Sequence, residues 1–175
     1  MDFAILDITT PLGFGLRLLV AIVLGLIIGL ERQWTNHQAG ILTNVIVCVG
    51  AFAYSGFSYL VNPETSDVTR IASNVVTGIG FLGAGVILRD GTNIRGLNTA
   101  ATVWASGAVG ILCCVDNLLY AVIVAVSIVI MHLLLHPLSS FVNKKRKPRH
   151  NKHRDKAREH ERMKEKELEI DNDEL

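Results

Sequence analysis

Apolar and polar positions alternate along this chain in long blocks rather than at the short period of an amphipathic strand. Five intervals carry no Asp, Glu, Lys or Arg: residues 18–30, 33–63, 71–88, 96–115 and 117–143. A helix that crosses a bilayer needs about 20 apolar residues, with a range of about 17–25. The pattern predicts an all-α membrane protein, a bundle of five transmembrane helices. Its spans fall at about 12–30, 41–60, 71–88, 97–115 and 117–138.

The first span reaches this length only if it begins near Leu12 and includes Arg17. We expect Arg17 to snorkel, with its stem in the apolar region and its charge among the headgroups. The chain opens with Asp2 and Asp7 where a signal peptide would carry basic residues, so we expect the first span to be retained.

A soluble protein with buried apolar helices is the alternative. Such helices keep a polar face, whereas residues 118–135, LLYAVIVAVSIVIMHLLL, show almost none. The pattern therefore favours the membrane protein.

The basic residues are distributed very unevenly. Of the 17 Lys and Arg, 12 lie in residues 144–175. The loops with Arg32, with Arg89 and Arg95, and the KKRK run at 144–147 form one set, and the positive-inside rule makes that set cytoplasmic. We therefore expect an outside N-terminus and a cytoplasmic C-terminus. Residues 1–143 would form the membrane domain, and 144–175 a charged cytoplasmic tail that is disordered or partly helical.

The stretch GIGFLG, residues 78–83, matches the glycine pattern of dinucleotide-binding loops. That site also needs a preceding strand and an acidic residue about 20 positions on, but residues 91–115 hold no Asp or Glu. Helix packing explains the glycines better, because small residues let transmembrane backbones approach closely. We predict Gly78, Gly80, Gly83 and Gly85 as helix-packing glycines that make spans three and four the tight core. Spans two and five would then face lipid, and a gate or cavity lining is the alternative use of the glycines.

The segment RDGTNIRG, residues 89–96, concentrates polar side chains between spans three and four. We expect a tight turn, followed by Asn98 as N-cap of the next helix. The turn is either an ordinary positive-inside loop or a cluster that contacts a partner or an ion. We place Glu31 and Arg32 at the same end, where Glu31 either simply lies at the membrane boundary or pairs with Arg89 or Arg95. The candidate functional residues are eight polar side chains expected together at this end: Asn93, Arg95, Asp90, Arg89, Asn98, Thr99, Glu31 and Arg32.

Other chemistry-bearing residues give weak signals. His132 and His136 share a helix face and could hold a metal, but interfacial packing explains them as well. The three cysteines lie inside predicted spans and suit packing. With no nucleophile–base pair or metal set, the sequence predicts no catalytic residues, no cofactor and no enzyme.

The motifs GLERQW, AGILTN, RIASNVVTGIGFLGAGVI and RDGTNIRGLNTAATVW occur in this order over about residues 12–135. Together they resemble the MgtC/SapB family of bacterial inner-membrane proteins. The chain is most similar to the MgtC members, without their folded C-terminal domain. The resemblance implies five spans in the inner membrane. It carries functional importance, with Asn93 ranked first, to Glu31, Arg32, Gln33, Asn44, Gly78, Gly80, Gly83, Asp90, Asn93, Arg95, Asn98 and Thr99. One departure is Leu42, which stands where the family has Arg.

The resemblance also implies a role in adaptation to low magnesium and, in pathogens, in survival inside macrophages. We expect a non-enzymatic regulator of another membrane protein, for which the family suggests the F-type ATP synthase. A transporter or channel component for magnesium or another divalent cation is the alternative. The expected partners are the lipid bilayer, a membrane protein and, as an open option, a second copy in a homodimer, with no nucleic acid.

Overall fold

The computed structural model describes residues 6–35, 37–61, 67–90 and 93–144, without the side chains of Asp90, Asn93 and 136–144. This part of the chain forms five helices and one hairpin. In chain order they are α1 (Pro11–Trp34), α2 (Ile41–Val61), α3 (Val68–Val86), β1 (Leu88–Asp90), β2 (Asn93–Arg95), α4 (Leu97–Leu112) and α5 (Leu119–Lys144). The predicted 144–175 tail lies outside the described residues, apart from Lys144 in α5.

The chain divides into two compact units, Met1–Leu133 and Leu134–Leu175. In the first unit α2 is the central helix, packed against α1, α3 and α4. Val109, Cys113, Ala121 and Ala125 from α4, the turn after it and α5 join the buried cluster around Phe52 and Ile28. In the second unit α5 continues to Lys144.

Two helices, α1 and α2, are long and apolar enough to cross a membrane, judged by length and composition. α4 and the α5 segment Leu119–Leu135 are shorter apolar helices. The helix positions follow the predicted spans, with shifted ends: α4 stops at Leu112, before the predicted 115, and α5 runs past 138 to Lys144.

Close backbone approach holds α1, α2 and α4 together. A Cβ built on Gly29 would lie 2.5 Å from the Cα of Ile41, and one on Gly25 would lie 3.0 Å from the Cα of Val45. On α4, a Cβ on Gly110 would strike the carbonyl oxygen of Cys48. Small residues at these positions let the helices pack tightly, which drives helix association in an apolar solvent.

The prediction that spans three and four form the tight core is wrong for span three, because the tightest helix contacts join α1, α2 and α4. Only Ile79 and Gly83 are buried in α3, and a Cβ on Gly83 would lie 3.6 Å from Ala100. Gly78, Gly80 and Gly85 face open space within one chain. Helix contacts depend on which small residues point at a neighbour, and that direction cannot be read from glycine content. The expected lipid-facing position of span two is also wrong, because α2 is central.

As expected for a tight turn, the chain reverses within residues 89–96, but it does so between the two strands of a short antiparallel hairpin. The strands were not predicted, and the described chain is therefore not purely α-helical. Arg89 pairs with Ile94, and Asp90 with Asn93, which leaves a two-residue connection. The prediction of Asn98 as N-cap is wrong: α4 begins at Leu97, and its N-cap is Gly96 at φ 88°. Glycine is favoured there because this conformation disfavours side chains and a Cβ would strike the carbonyl oxygen of Val86.

Arg17 also differs from expectation, because it is buried rather than snorkelling. Its guanidinium donates hydrogen bonds to the carbonyl oxygens of Leu6, Cys113 and Val115, and it lies 3.9 Å from the exposed carboxylate of Asp116. Arg17 thus satisfies the carbonyl of the C-cap Cys113, a position where the dipole of α4 favours a cation, and a carbonyl in the turn after the helix.

A matched pair of glycine substitutions tests this packing. We expect Gly110→Ala to lower the free energy of unfolding by about 1–3 kcal/mol, because the added methyl meets the backbone of α2. Gly80→Ala should leave it unchanged or raise it by up to about 1 kcal/mol, because nothing lies near that position and alanine is the better helix former. Unfolding in detergent micelles measures both, and equal effects would contradict the packing described.

Candidate functional site

One end of the helix bundle gathers polar side chains from three helices, all of them buried except His132, which is half-buried. Glu31 and Arg32 come from the last turns of α1, Thr99 and Thr102 from the first half of α4, and His132 from α5. We call these five residues the polar cluster. The reversals of the chain bring them together: α1 ends, α4 begins and α5 passes at the same end. Three predicted residues, Glu31, Arg32 and Thr99, are therefore neighbours in the fold.

The closest charged contact joins α1 to α5. The Oε2 of Glu31 lies 2.9 Å from the Nδ1 of His132, and the Glu31 side chain is 8% exposed. Neither atom makes a hydrogen bond within the described part of the chain, but the two atoms are well within ion-pair distance. The residue described opposite Glu31 is thus His132, whereas the sequence had suggested Arg89 or Arg95.

A neighbouring hydroxyl lies at the other ring nitrogen of His132. The hydroxyl of Thr102 donates to the carbonyl oxygen of Asn98 at 2.8 Å and lies 3.1 Å from the Nε2 of His132. Both ring nitrogens of His132 therefore have a polar neighbour, one from α1 and one from α4.

A second set of hydrogen bonds holds the other side of Glu31. The hydroxyl of Thr35 lies 3.4 Å from the Oε1 of Glu31 and 2.7 Å from the Nδ1 of His37. Thr35 is the C-cap of α1, and its hydroxyl also lies 3.0 Å from the backbone oxygen of Glu31. Both carboxylate oxygens thus have a polar neighbour, which fixes the Glu31 rotamer.

Arg32 is more deeply buried than its neighbour and is less well satisfied. The residue is 2% exposed. Its Nη2 donates to the hydroxyl of Thr99 at 3.4 Å, and its Nε has no hydrogen-bond partner. Over the described ranges, no ion pair to Arg32 is found within 4.0 Å. Burial of an incompletely paired cation is costly, so this side chain needs an explanation.

Asn44 links α2 to α4 through hydrogen bonds. Its amide nitrogen donates to the carbonyl oxygens of Ala39 and Gly40 at 3.1 and 2.8 Å. Its amide oxygen accepts from the Ser106 hydroxyl at 2.8 Å. Asn44 is therefore fully buried and well satisfied, a structural role that suits its place in the AGILTN motif.

The remaining predicted residues lie on or beside the hairpin. Arg89 and Arg95 are exposed on its two strands, and Asn98 is exposed in the first turn of α4. Asp90 and Asn93 face each other by backbone pairing, and their side chains lie outside the described residues. The structure thus separates a buried polar cluster from an exposed hairpin.

Sequence reasoning missed the part played by His132 and Thr102. A histidine inside an apolar span was one available signal, since intramembrane ionisable groups are costly and need partners. The partner could not be read from spacing, because Glu31 and His132 are far apart in sequence. As for the metal hypothesis, no set of three or more His, Cys, Asp or Glu able to hold an ion occurs in the searched part of the chain, and the His136 side chain lies outside it.

These features define a class: a mainly helical protein with apolar helices suited to a membrane and buried polar groups at one end. A family model described as "MgtC family" matches residues 18–141. The chain therefore belongs to the MgtC family, and the resemblance seen in its motifs is confirmed.

Curated relatives agree with this assignment. The chain is 49% identical over 118 residues to Protein MgtC of Brucella abortus, covering 67% of this chain and 49% of that protein. It is 44% identical over 128 residues to Protein MgtC of Salmonella typhimurium, covering 73% and 54%. It is 47% identical over 128 residues to an uncharacterized protein of Synechocystis, covering 73% and 54%. The chain thus spans about half the length of these relatives. No solved structure matches it significantly.

A double-mutant cycle tests the contact between α1 and α5. We expect Glu31→Ala and His132→Ala each to destabilise the protein, and the pair to show a coupling energy of about 0.5–3 kcal/mol. Glu31→Gln should be milder than Glu31→Ala, because the amide keeps the size of the side chain and can hydrogen-bond to Nδ1 as donor or as acceptor. Unfolding in micelles provides the readout.

The matched control for this cycle combines His132→Ala with Asp67→Ala. Asp67 is the N-cap of α3, at the end of the bundle opposite to the polar cluster. Those two changes should be additive. Additivity of Glu31→Ala and His132→Ala as well would show that the described contact does not hold the helices together.

Proposed function

We propose that this protein is a five-span regulator of the bacterial inner membrane that binds another membrane protein and catalyses no reaction. The observation that carries the proposal is the exposure of α3 and the hairpin. α3 buries two residues, whereas α1, α2 and α4 each bury eight or more. α3 is an exposed helix in which Gly78, Gly80 and Gly85 have no neighbour within 4 Å, and it leads into a polar hairpin. Such a helix suits docking against a neighbouring transmembrane helix.

The distribution of apolar side chains supports the membrane part of this proposal. Large hydrophobic residues are exposed on all five helices, among them Leu19, Phe57, Phe81, Trp104 and Ile123, whereas Arg17, Arg32 and Asn44 are buried. Apolar exposure of this extent is unfavourable in water and favourable in lipid. With an outside N-terminus, the polar cluster and the hairpin lie on the cytoplasmic side.

By family resemblance we propose that the regulated process belongs to adaptation to low magnesium and, in a pathogen, to survival inside macrophages. The F-type ATP synthase is the proposed partner. The curated relatives named Protein MgtC support the family context of this role, and their names print no partner.

A second candidate function is divalent cation transport, and Glu31 is the observation that favours it. The sequence had suggested no carboxylate inside the spans, yet Glu31 is buried at the end of α1. Magnesium prefers oxygen ligands. Because the Glu31 carboxylate already contacts His132 and Thr35, regulation is the better-supported proposal.

Co-purification tests the regulator. We expect the wild-type protein to retain a membrane partner, with retention reduced about tenfold or more in the double variant Asn93→Ala/Arg95→Gln, because loss of interface hot-spot contacts costs roughly 2 kcal/mol or more. The matched control Thr69→Ala, exposed at the far end of α3, should bind normally. Equal retention by all three proteins would remove the hairpin from the interface.

A flux assay then separates regulation from transport. The purified protein is placed in liposomes, and magnesium entry is followed with an internal indicator. The regulator proposal expects the rate of empty liposomes. Protein-dependent flux that Glu31→Gln abolishes would establish the transporter instead.

A further inference from the structure

We propose that a phosphate group binds the Arg32 guanidinium beside the first turn of α4. This inference concerns a site that the proposed regulatory role does not require.

The unpaired cation is the first observation. The Arg32 residue is 2% exposed, its Nε lacks a hydrogen-bond partner, and its Nη2 makes one long contact of 3.4 Å to the Thr99 hydroxyl. Arginine keeps its charge in proteins. A guanidinium held out of water in this way is stabilised strongly by an anion that accepts from two of its nitrogens.

The helix that Arg32 reaches supplies the second half of the site. Thr99 is the third residue of α4, within the turn whose backbone N–H groups have no intrahelical acceptor. The N-cap Gly96 has no side chain to satisfy them. Helix N-termini attract anions through these N–H groups and the dipole. Arg32, the Thr99 hydroxyl and the N-terminal turn therefore converge on one region.

The surrounding charges favour an anion on balance. Arg95 lies immediately before Gly96, and Arg89 lies on the neighbouring strand. Glu31 is the opposing charge, but its carboxylate is directed to His132 and Thr35. Arginine with hydroxyl and backbone donors is the usual donor set for phosphate. Lipid headgroups and free phosphate share this chemistry, so the experiment must separate the two sources.

The test is the thermal midpoint of the purified, delipidated protein in micelles. Inorganic phosphate is added in one arm, phosphatidylglycerol in a second, and chloride at matched ionic strength in a third. We expect a rise in the midpoint with phosphate or phosphatidylglycerol and none with chloride, since a ligand that binds the folded state stabilises it. A rise with inorganic phosphate identifies a soluble source, and a rise with the lipid alone identifies a headgroup. No rise in either arm would overturn the proposal.

Variants locate the site. Arg32→Gln should weaken binding by about tenfold or more, the usual effect of losing hydrogen bonds to a charged group. Arg32→Lys should fall between, because it keeps the charge but not the fork. The matched control is Arg70→Gln, an exposed arginine in the first turn of α3, which should bind normally.

If Arg32→Gln does not fold, Thr99→Val provides the same test without removing the buried charge, and we expect weaker binding. Wild-type affinity in the folded variants of Arg32 and Thr99 would contradict the site. Since the assay contains no protein partner, its failure would leave the regulator proposal standing, and failed co-purification would leave the phosphate site standing.

Discussion

Every charged side chain inside an apolar bundle needs a hydrogen-bond or ion-pair partner, and this structure depends on that constraint. Arg17 meets it at one end of the bundle by donating to the carbonyl oxygens of the C-cap Cys113 and of Val115 in the turn after α4. At the other end, Glu31 meets it through His132 and Thr35. Because unsatisfied polar groups cost several kcal/mol in a nonpolar medium, these contacts determine which helix ends lie together. Arg32 is the one member of the polar cluster for which the described contacts leave this requirement unmet.

The helices could be predicted from sequence because charge-free intervals report directly on helices that need no contact with water. Contacts between helices could not be predicted in the same way. The glycines look alike in sequence, yet Gly25, Gly29 and Gly110 lie tightly against a neighbouring backbone, whereas Gly78, Gly80 and Gly85 have nothing within 4 Å. Glu31, Arg32 and Thr99 were predicted as functional from motifs, whereas His132 was missed because its partner is about 100 residues away in sequence. The hairpin was hidden by a turn signal that fits several geometries.

The division between a buried polar cluster and an exposed hairpin suggests how a change at one could reach the other. Arg32 touches Thr99, which lies three residues after the N-cap Gly96, and Gly96 follows the second strand directly. A ligand on Arg32 would therefore act on the turn that carries the hairpin. His132 joins the same end of α4 to α5 through Thr102, and it joins α1 to α5 through Glu31. This arrangement gives the family motifs a common physical role: they place charge at one end of the bundle and present a polar surface beside it.

The central claim is that the polar cluster and the hairpin form one end of a membrane-crossing bundle, and that this end faces the cytoplasm. Labelling of single introduced cysteines with a membrane-impermeant maleimide tests it most directly, since Cys48, Cys113 and Cys114 are buried. The exposed positions Gln38 and Ile94 mark the polar end, and exposed Thr69 marks the opposite end. We predict that Gln38→Cys and Ile94→Cys label only in inside-out vesicles, and Thr69→Cys only in intact cells. Labelling of Thr69→Cys from the same side as Ile94→Cys would contradict the account.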